Sequence, residues 1–123
     1  MLTRFRTRRQ RSEIGSDKER LACSFLTESG LRLLKRNYRC RQGEIDLVMR
    51  EADTLVFVEV RFRSSTRFGT PAETVDVRKQ RRLTTAARHY LQHNPNNLAC
   101  RFDVIAISGA DRIEWIRNAF NVE

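Results

Sequence analysis

The sequence predicts an α/β domain of three layers, α/β/α, with a mixed central sheet covered on both faces. Two observations carry this reading. The hydrophobic patterns follow the order helix, three strands, helix, two strands, and the clearest strand is apolar on both sides. In residues 55–63, Val56, Val58, Val60 and Phe62 alternate onto one face, while Leu55, Phe57, Glu59, Arg61 and Arg63 alternate onto the other. A sheet built from such strands needs helices above and below it. A chain of 123 residues supports one such domain around a modest core and is too short for two ordinary ones. We therefore expect a disordered basic arm over residues 1–12 and a single folded domain over residues 13–123.

The arm holds five arginines and almost no apolar side chains, so it either lies along a phosphate backbone or only aids solubility. Ser16 then reads as an N-cap, with Glu19 three residues on in the position that completes a capping box. Leu21, Ala22, Phe25 and Leu26 form the apolar stripe of this helix. Glu19 shares a side with Ala22 and Leu26, at the edge of the buried stripe, so it is placed either to cap or to reach a site on the sheet. Gly30 ends the helix as its C′ residue. Leu31–Cys40 follows as a first strand carrying Arg32, Lys35, Arg36 and Arg39, with Arg41 just beyond.

Gly43–Arg63 reads as a hairpin around which the rest is organised. Glu44, Asp46 and Val48 alternate in facing with Ile45, Leu47 and Met49. A tight turn at Ala52 and Asp53 pairs Glu51 with Thr54, and counting back sets Asp46 across from Glu59 and Glu44 across from Arg61. Residues 64–74, SSTRFGTPAET, form a loop beside this hairpin, with Arg67 as a phosphate contact or a solvated side chain and Phe68 as a base-stacking or loop-anchoring one. The second helix runs from an Asp76 N-cap to His93 on a stripe of Leu83, Ala86, Ala87, Tyr90 and Leu91, with Gln80 at its edge. Its first two turns carry Arg78, Lys79, Arg81 and Arg82. Cations there oppose the helix dipole, which favours a functional reason over a merely solvated face. His89 and His93 have the i, i+4 spacing of zinc helices but no third ligand at a matching spacing. Asn94–Asn97 stops the helix, Cys100–Ile107 is a strand, Gly109–Asp111 a turn, and Ile113–Arg117 a last strand with Trp115 in the core. Cys23, Cys40 and Cys100 show neither a paired nor a metal-binding spacing and are expected as buried thiols.

Two carboxylates facing each other across a half-buried hairpin repel, and they either take up a proton or need a cation between them. Mg²⁺ is held by one or two carboxylates with waters and phosphate, so Asp46 and Glu59 make a half-site for it. The structural alternative is a charge ladder in which Glu44 pairs with Arg61 and Glu59 with Arg63. The formal charge of +9, from 24 Lys and Arg against 15 Asp and Glu, favours a polyanionic partner. No apolar run is long enough for a membrane span or a secretory signal, so nucleic acid is preferred to a membrane and the cytoplasm is the expected compartment.

GEIDLV, a short turn, FVEVRFR, then KQRRL, CRFDVIAI and NAF resemble the YraN-like family of bacterial proteins, a branch of the PD-(D/E)XK nuclease superfamily. The likeness runs from about Gly15 to Phe120. It implies a restriction-endonuclease-like fold and a Mg²⁺- or Mn²⁺-dependent endonuclease acting on DNA, with branched or junction structures as candidate substrates. Carried over by position, Asp46 and Glu59 match the metal-binding acids, Glu19 matches an acid on the first helix of related Holliday-junction resolvases, and Gln80 is expected to support from the second helix. Arg63, Arg67, Arg78, Lys79 and Arg82 are expected to contact nucleic acid. Arg61 stands where the superfamily signature has Lys and does not give up its proton, so it is expected to orient water or stabilise charge. Two alternatives remain open: a catalytically inactive nucleic-acid-binding module of the same fold, and a partner-binding adaptor. Junction resolvases work as dimers, which raises a homodimer as an assembly to look for.

Overall fold

The computed structural model describes residues 8–62 and 75–121, with side chains from Gly15 onward. Arg63, Arg67, Phe68 and the rest of the expected loop lie outside the described residues. Helix α1 (Arg8–Glu28) starts well before the expected Ser16 cap. Nothing between Arg8 and Ile14 breaks a helix, and propagating an existing helix is easier than nucleating one. Ser16 is therefore an interior residue, and residues 8–12 of the expected disordered arm are helical. The capping role of Glu19 falls away with Ser16. The other end follows expectation: Gly30, at φ 103°, lets Leu31 N–H reach the Leu26 carbonyl at 3.0 Å and Gly30 N–H the Thr27 carbonyl at 3.1 Å, the Schellman pattern.

Five strands follow: β1 (Arg32–Cys40), β2 (Gly43–Glu51), β3 (Thr54–Phe62), β4 (Ala99–Ser108) and β5 (Arg112–Phe120), with helix α2 (Val77–His93) between β3 and β4. They pair in the order β1-β2-β3-β4-β5. All neighbours are antiparallel except β3 and β4, which the α2 crossover makes parallel. Asp76 caps α2 as expected, accepting from Lys79 N–H at 2.8 Å.

Each face of the sheet buries its own core. Leu47, Met49, Val56, Val58, Ile105 and Ile107 pack with Ala22 and Leu26 of α1. On the other face Ile45, Val48, Leu55, Phe57, Phe102 and Val104 pack with Leu83, Ala86, Ala87 and Tyr90 of α2. The β3 alternation is as expected. In β2, however, Ile45 and Leu47 fall on opposite faces although they are two residues apart, so the period of two breaks at Asp46. Its neighbour across β1, Asn37, has φ 51°, a left-handed conformation that bends the strand at the same level.

A polar network ties β2, β4 and β5 together under α1. Asp103, 0% exposed, accepts from Arg101 Nε at 3.0 Å, Trp115 Nε1 at 2.9 Å and Asn118 N–H at 2.9 Å. Glu51 joins Arg101 at 2.8 Å to Arg117 at 2.9 Å, and those hydrogen bonds, Arg101 foremost, hold its carboxyl below the usual range. Trp115 is half-buried, with Phe25 edge-on at 6.1 Å. The cysteines depart from expectation: all three are free, Cys23 and Cys40 are only half-buried, and Cys100 is exposed, because it sits at the start of β4 before that strand enters the core.

Candidate active site

The β2–β3 hairpin keeps the expected register, Glu51 opposite Thr54, as far as Leu47 opposite Val58. There the ladder ends. Asp46 does not pair through its backbone with Glu59; its Oδ2 instead accepts Val60 N–H at 2.8 Å, replacing the ladder bond that the bend removes. Beyond this point the strands part, so Glu44 lies opposite Arg39 of β1, with Glu44 Oε2 3.3 Å from Arg39 Nε, and not opposite Arg61.

The parting opens the sheet to both layers. Glu59, 6% exposed, faces the α2 side, where Lys79 Nζ lies 3.4 Å from its Oε2. Asp46 shares a hydrogen bond with Glu59 and another with Glu19, which reaches it from α1. Glu19, Asp46 and Glu59 thus form a chain of carboxylates with Lys79 at its end. Burial pushes the Glu59 carboxyl up to about 8, with the Asp46 charge adding to the shift and Lys79 and Arg61 opposing it. Burial raises Asp46 too, against the Val60 N–H bond and the bond to Glu59. At neutral pH the proton between them belongs to Glu59. Burial likewise raises Glu19, followed by the Asp46 charge, while the Asn37 side chain and Arg36 pull it down.

Lys79, expected at a nucleic-acid groove, stands beside Glu59. Arg78 and Arg82 are exposed on the same helix. Gln80 Nε2 donates to the Val75 carbonyl at 2.9 Å and so fixes the start of α2, the turn from which Lys79 projects. Arg36 and Asn37 joined no expected site, because strict alternation along β1 gives no sign of the bend that turns them toward Glu19. Among the described residues no three His, Cys, Asp or Glu side chains converge on one point; the acids are chained, not clustered. His89 and His93 are stacked at 4.3 Å, with a hydrogen bond joining His89 Nδ1 to the Tyr38 hydroxyl and His93 Nδ1–H donating to the His89 carbonyl at 2.9 Å.

A five-stranded mixed sheet split at a buried acidic pair, with a helix on each face, defines a restriction-endonuclease-like α/β domain. Residues 18–107 match the family described as Uncharacterised protein family UPF0102. A UPF0102 protein of Nitrosomonas europaea is 57% identical over 109 residues, covering 87% of this chain and 92% of its own. Another, of Nitrosococcus oceani, is 51% identical over 114 residues, covering 89% and 92%, and one of Chromohalobacter salexigens is 52% identical over 110 residues, covering 87% and 89%. The chain belongs to this family, whose YraN-like members form part of the PD-(D/E)XK-like nuclease superfamily. No helix among the described residues is long and apolar enough to cross a membrane.

Proposed function

We propose that the protein is a divalent-metal-dependent endonuclease that hydrolyses phosphodiester bonds in DNA, with branched or junction DNA as its substrate and the cytoplasm as its compartment. The observation that supports this best is the meeting of Glu19, Asp46, Glu59 and Lys79 at one split in the sheet, from four separate elements. The donor set suits Mg²⁺ or Mn²⁺: Asp46 and Glu59 offer hard oxygens so buried, and so close to each other, that Glu59 keeps a proton, and a cation would take that proton's place. Asp46 and Glu59 would hold the ion, with Glu19 reaching it through water, and the ion would polarise the phosphate and acidify a water. The protein's own part is fixed positive charge. Lys79 and Arg61 flank Glu59 and stabilise charge that grows on the phosphate oxygens during in-line displacement. Lys79 supplies from the helix the ammonium group that the strand, with Arg61, lacks. Gln80 steadies that helix start. A homodimer would set two such sites on the two strands of a junction.

A second reading, an inactive binding module, draws on Arg61, and one assay separates the two. Wild type, Asp46→Asn, Glu59→Ala, Lys79→Ala and Arg61→Lys are incubated with junction, flap, single-stranded and linear DNA in Mg²⁺ and in Mn²⁺. The wild type is expected to cut. Asp46→Asn and Glu59→Ala should be inactive, Lys79→Ala should fall by about 10² or more, and Arg61→Lys should keep or gain activity. A wild type that binds every substrate and cuts none, with metal present, would replace the enzyme by the binding module.

A further inference from the structure

The β1–β2 turn folds so closely onto α2 that Gly43 has no room for a side chain: a Cβ there would lie 2.6 Å from the Arg82 carbonyl oxygen. This contact walls a pocket of about 300 Å³ lined by Arg39, Arg41, Gly43, Glu44, Lys79 and Arg82. Four cations from β1, the turn and α2 therefore face one acid. Glu44 is engaged by Arg39 and Lys79 by Glu59, while Arg41 and Arg82 form no ion pair among the described residues. Gathering like charges around one cavity is unfavourable unless an anion enters it. A guanidinium fork is the donor best matched to phosphate oxygens, and the pocket holds three of them.

We propose that this pocket is a phosphate subsite that takes the phosphate of the nucleotide next to the one being cut. The second half of that statement rests on the nuclease reading, through Lys79, which both lines the pocket and touches Glu59. One strand can thus lay successive phosphates at the pocket and at the carboxylates. The volume stands at the lower end of ligand pockets, about 300–1,000 Å³, enough for one phosphate with its sugar. The pocket therefore reads a single strand drawn away from its complement, as at a branch, flap or end, in preference to an undisturbed duplex.

The test begins without metal. Thymidine 3′,5′-bisphosphate and inorganic phosphate are titrated by calorimetry into wild type, Arg82→Ala, Gly43→Ala, Glu44→Gln and Arg32→Ala. Arg32 is the control, an exposed cation at the far end of β1, about 25 Å away along the strand. Arg82→Ala and Gly43→Ala should each weaken binding about tenfold or more, the loss of a charge-assisted contact, Glu44→Gln should tighten it, and Arg32→Ala should leave it unchanged. Gly43→Ala keeps every charge and moves only the wall; should it fail to fold, Arg82→Ala carries the test alone. Equal losses in Arg82→Ala and Arg32→Ala, or no binding by the wild type, would overturn the subsite. Cutting is then followed on flaps with one neutral methylphosphonate stepped along the strand. A neutral linkage beside the cut should slow the wild type and make no further difference to Arg82→Ala. Bisphosphate binding by a protein that cuts nothing upholds the phosphate site and removes the nuclease reading; cutting indifferent to Arg82 and to the neutral linkage does the reverse.

Discussion

Glu59 holds a proton that a free glutamate would release, and this has a direct consequence for stability. Its carboxyl moves from 4.5 in the unfolded chain to about 8 in the fold, because it is buried and because Asp46 stands beside it. A carboxyl raised on folding stabilises the native state fully below the unfolded value, and that stabilisation is lost as pH rises through the folded one. The window is therefore about 4.5 to 8, and Asp46 and Glu19, both raised, act in the same direction. In urea melts without divalent ions, the wild type should lose roughly 3 kcal/mol between pH 5 and pH 9 relative to Glu59→Gln. Glu59→Gln should be the more stable of the two at pH 9, since its amide has no charge to release. Comparing the two proteins cancels the titrating groups that do not interact with Glu59, and Asp46, coupled to it, is counted with it. Parallel curves would mean that Glu59 is ionised throughout and that the shared proton lies elsewhere.

Among the elements, the hairpin was legible in sequence because a two-residue turn fixes register, and that register holds from Glu51 to Leu47. It fails at Asp46, where counting assumes an unbroken ladder and the strand bends instead. The bend is also where Glu19 reaches Asp46 from one face and Lys79 reaches Glu59 from the other, so the rule breaks where the candidate site begins. Asn37 and Arg36 escaped notice for the same reason. The start of α1 escaped because a cap motif at Ser16 outweighed a weaker signal, the absence of any helix breaker upstream. The Asp103 network was invisible since its donors, Arg101, Trp115 and Asn118, come from two strands whose register no turn motif declares. Its weight is measurable. Asp103→Ala leaves the Trp115 indole and Asn118 N–H without their acceptor and Arg101 with Glu51 alone, and should cost about 2–4 kcal/mol, with a red-shifted Trp115 emission as the indole N–H loses its acceptor to water. Gly30→Ala, at φ 103°, should cost only about 1–2 kcal/mol and leave that emission unchanged. Denaturant melts followed by Trp fluorescence separate the two; a small loss for Asp103→Ala would mean that water replaces the network readily.

At the scale of the whole molecule, the charge of +9 favours a polyanionic partner, and the fold gathers part of that charge in one place. Neither β1 nor α2 contains a single acidic residue, and the two elements flank the pocket at the β1–β2 turn, beside the carboxylates. The basic charge of these two elements is therefore concentrated beside the carboxylates, and on the proposed reading a polyanion meets it there. Binding that neutralises phosphates releases counterions, so log K should fall linearly with log salt, by about 0.9 for each phosphate held on duplex DNA and about 0.7 on a single strand. Arg39→Ala combined with Arg82→Ala should lower that slope by between one and two units on a flap, and less on linear duplex, whose paired strands cannot enter the pocket. Arg32→Ala should leave it nearly intact. Filter binding or anisotropy between 50 and 200 mM salt, with Ca²⁺ in place of Mg²⁺, measures the slope without cutting. A wild type whose affinity ignores salt would assign the positive charge to solubility alone and favour the adaptor. A steep slope lost equally in all variants would describe a diffuse basic surface, in which the pocket is only one patch among many.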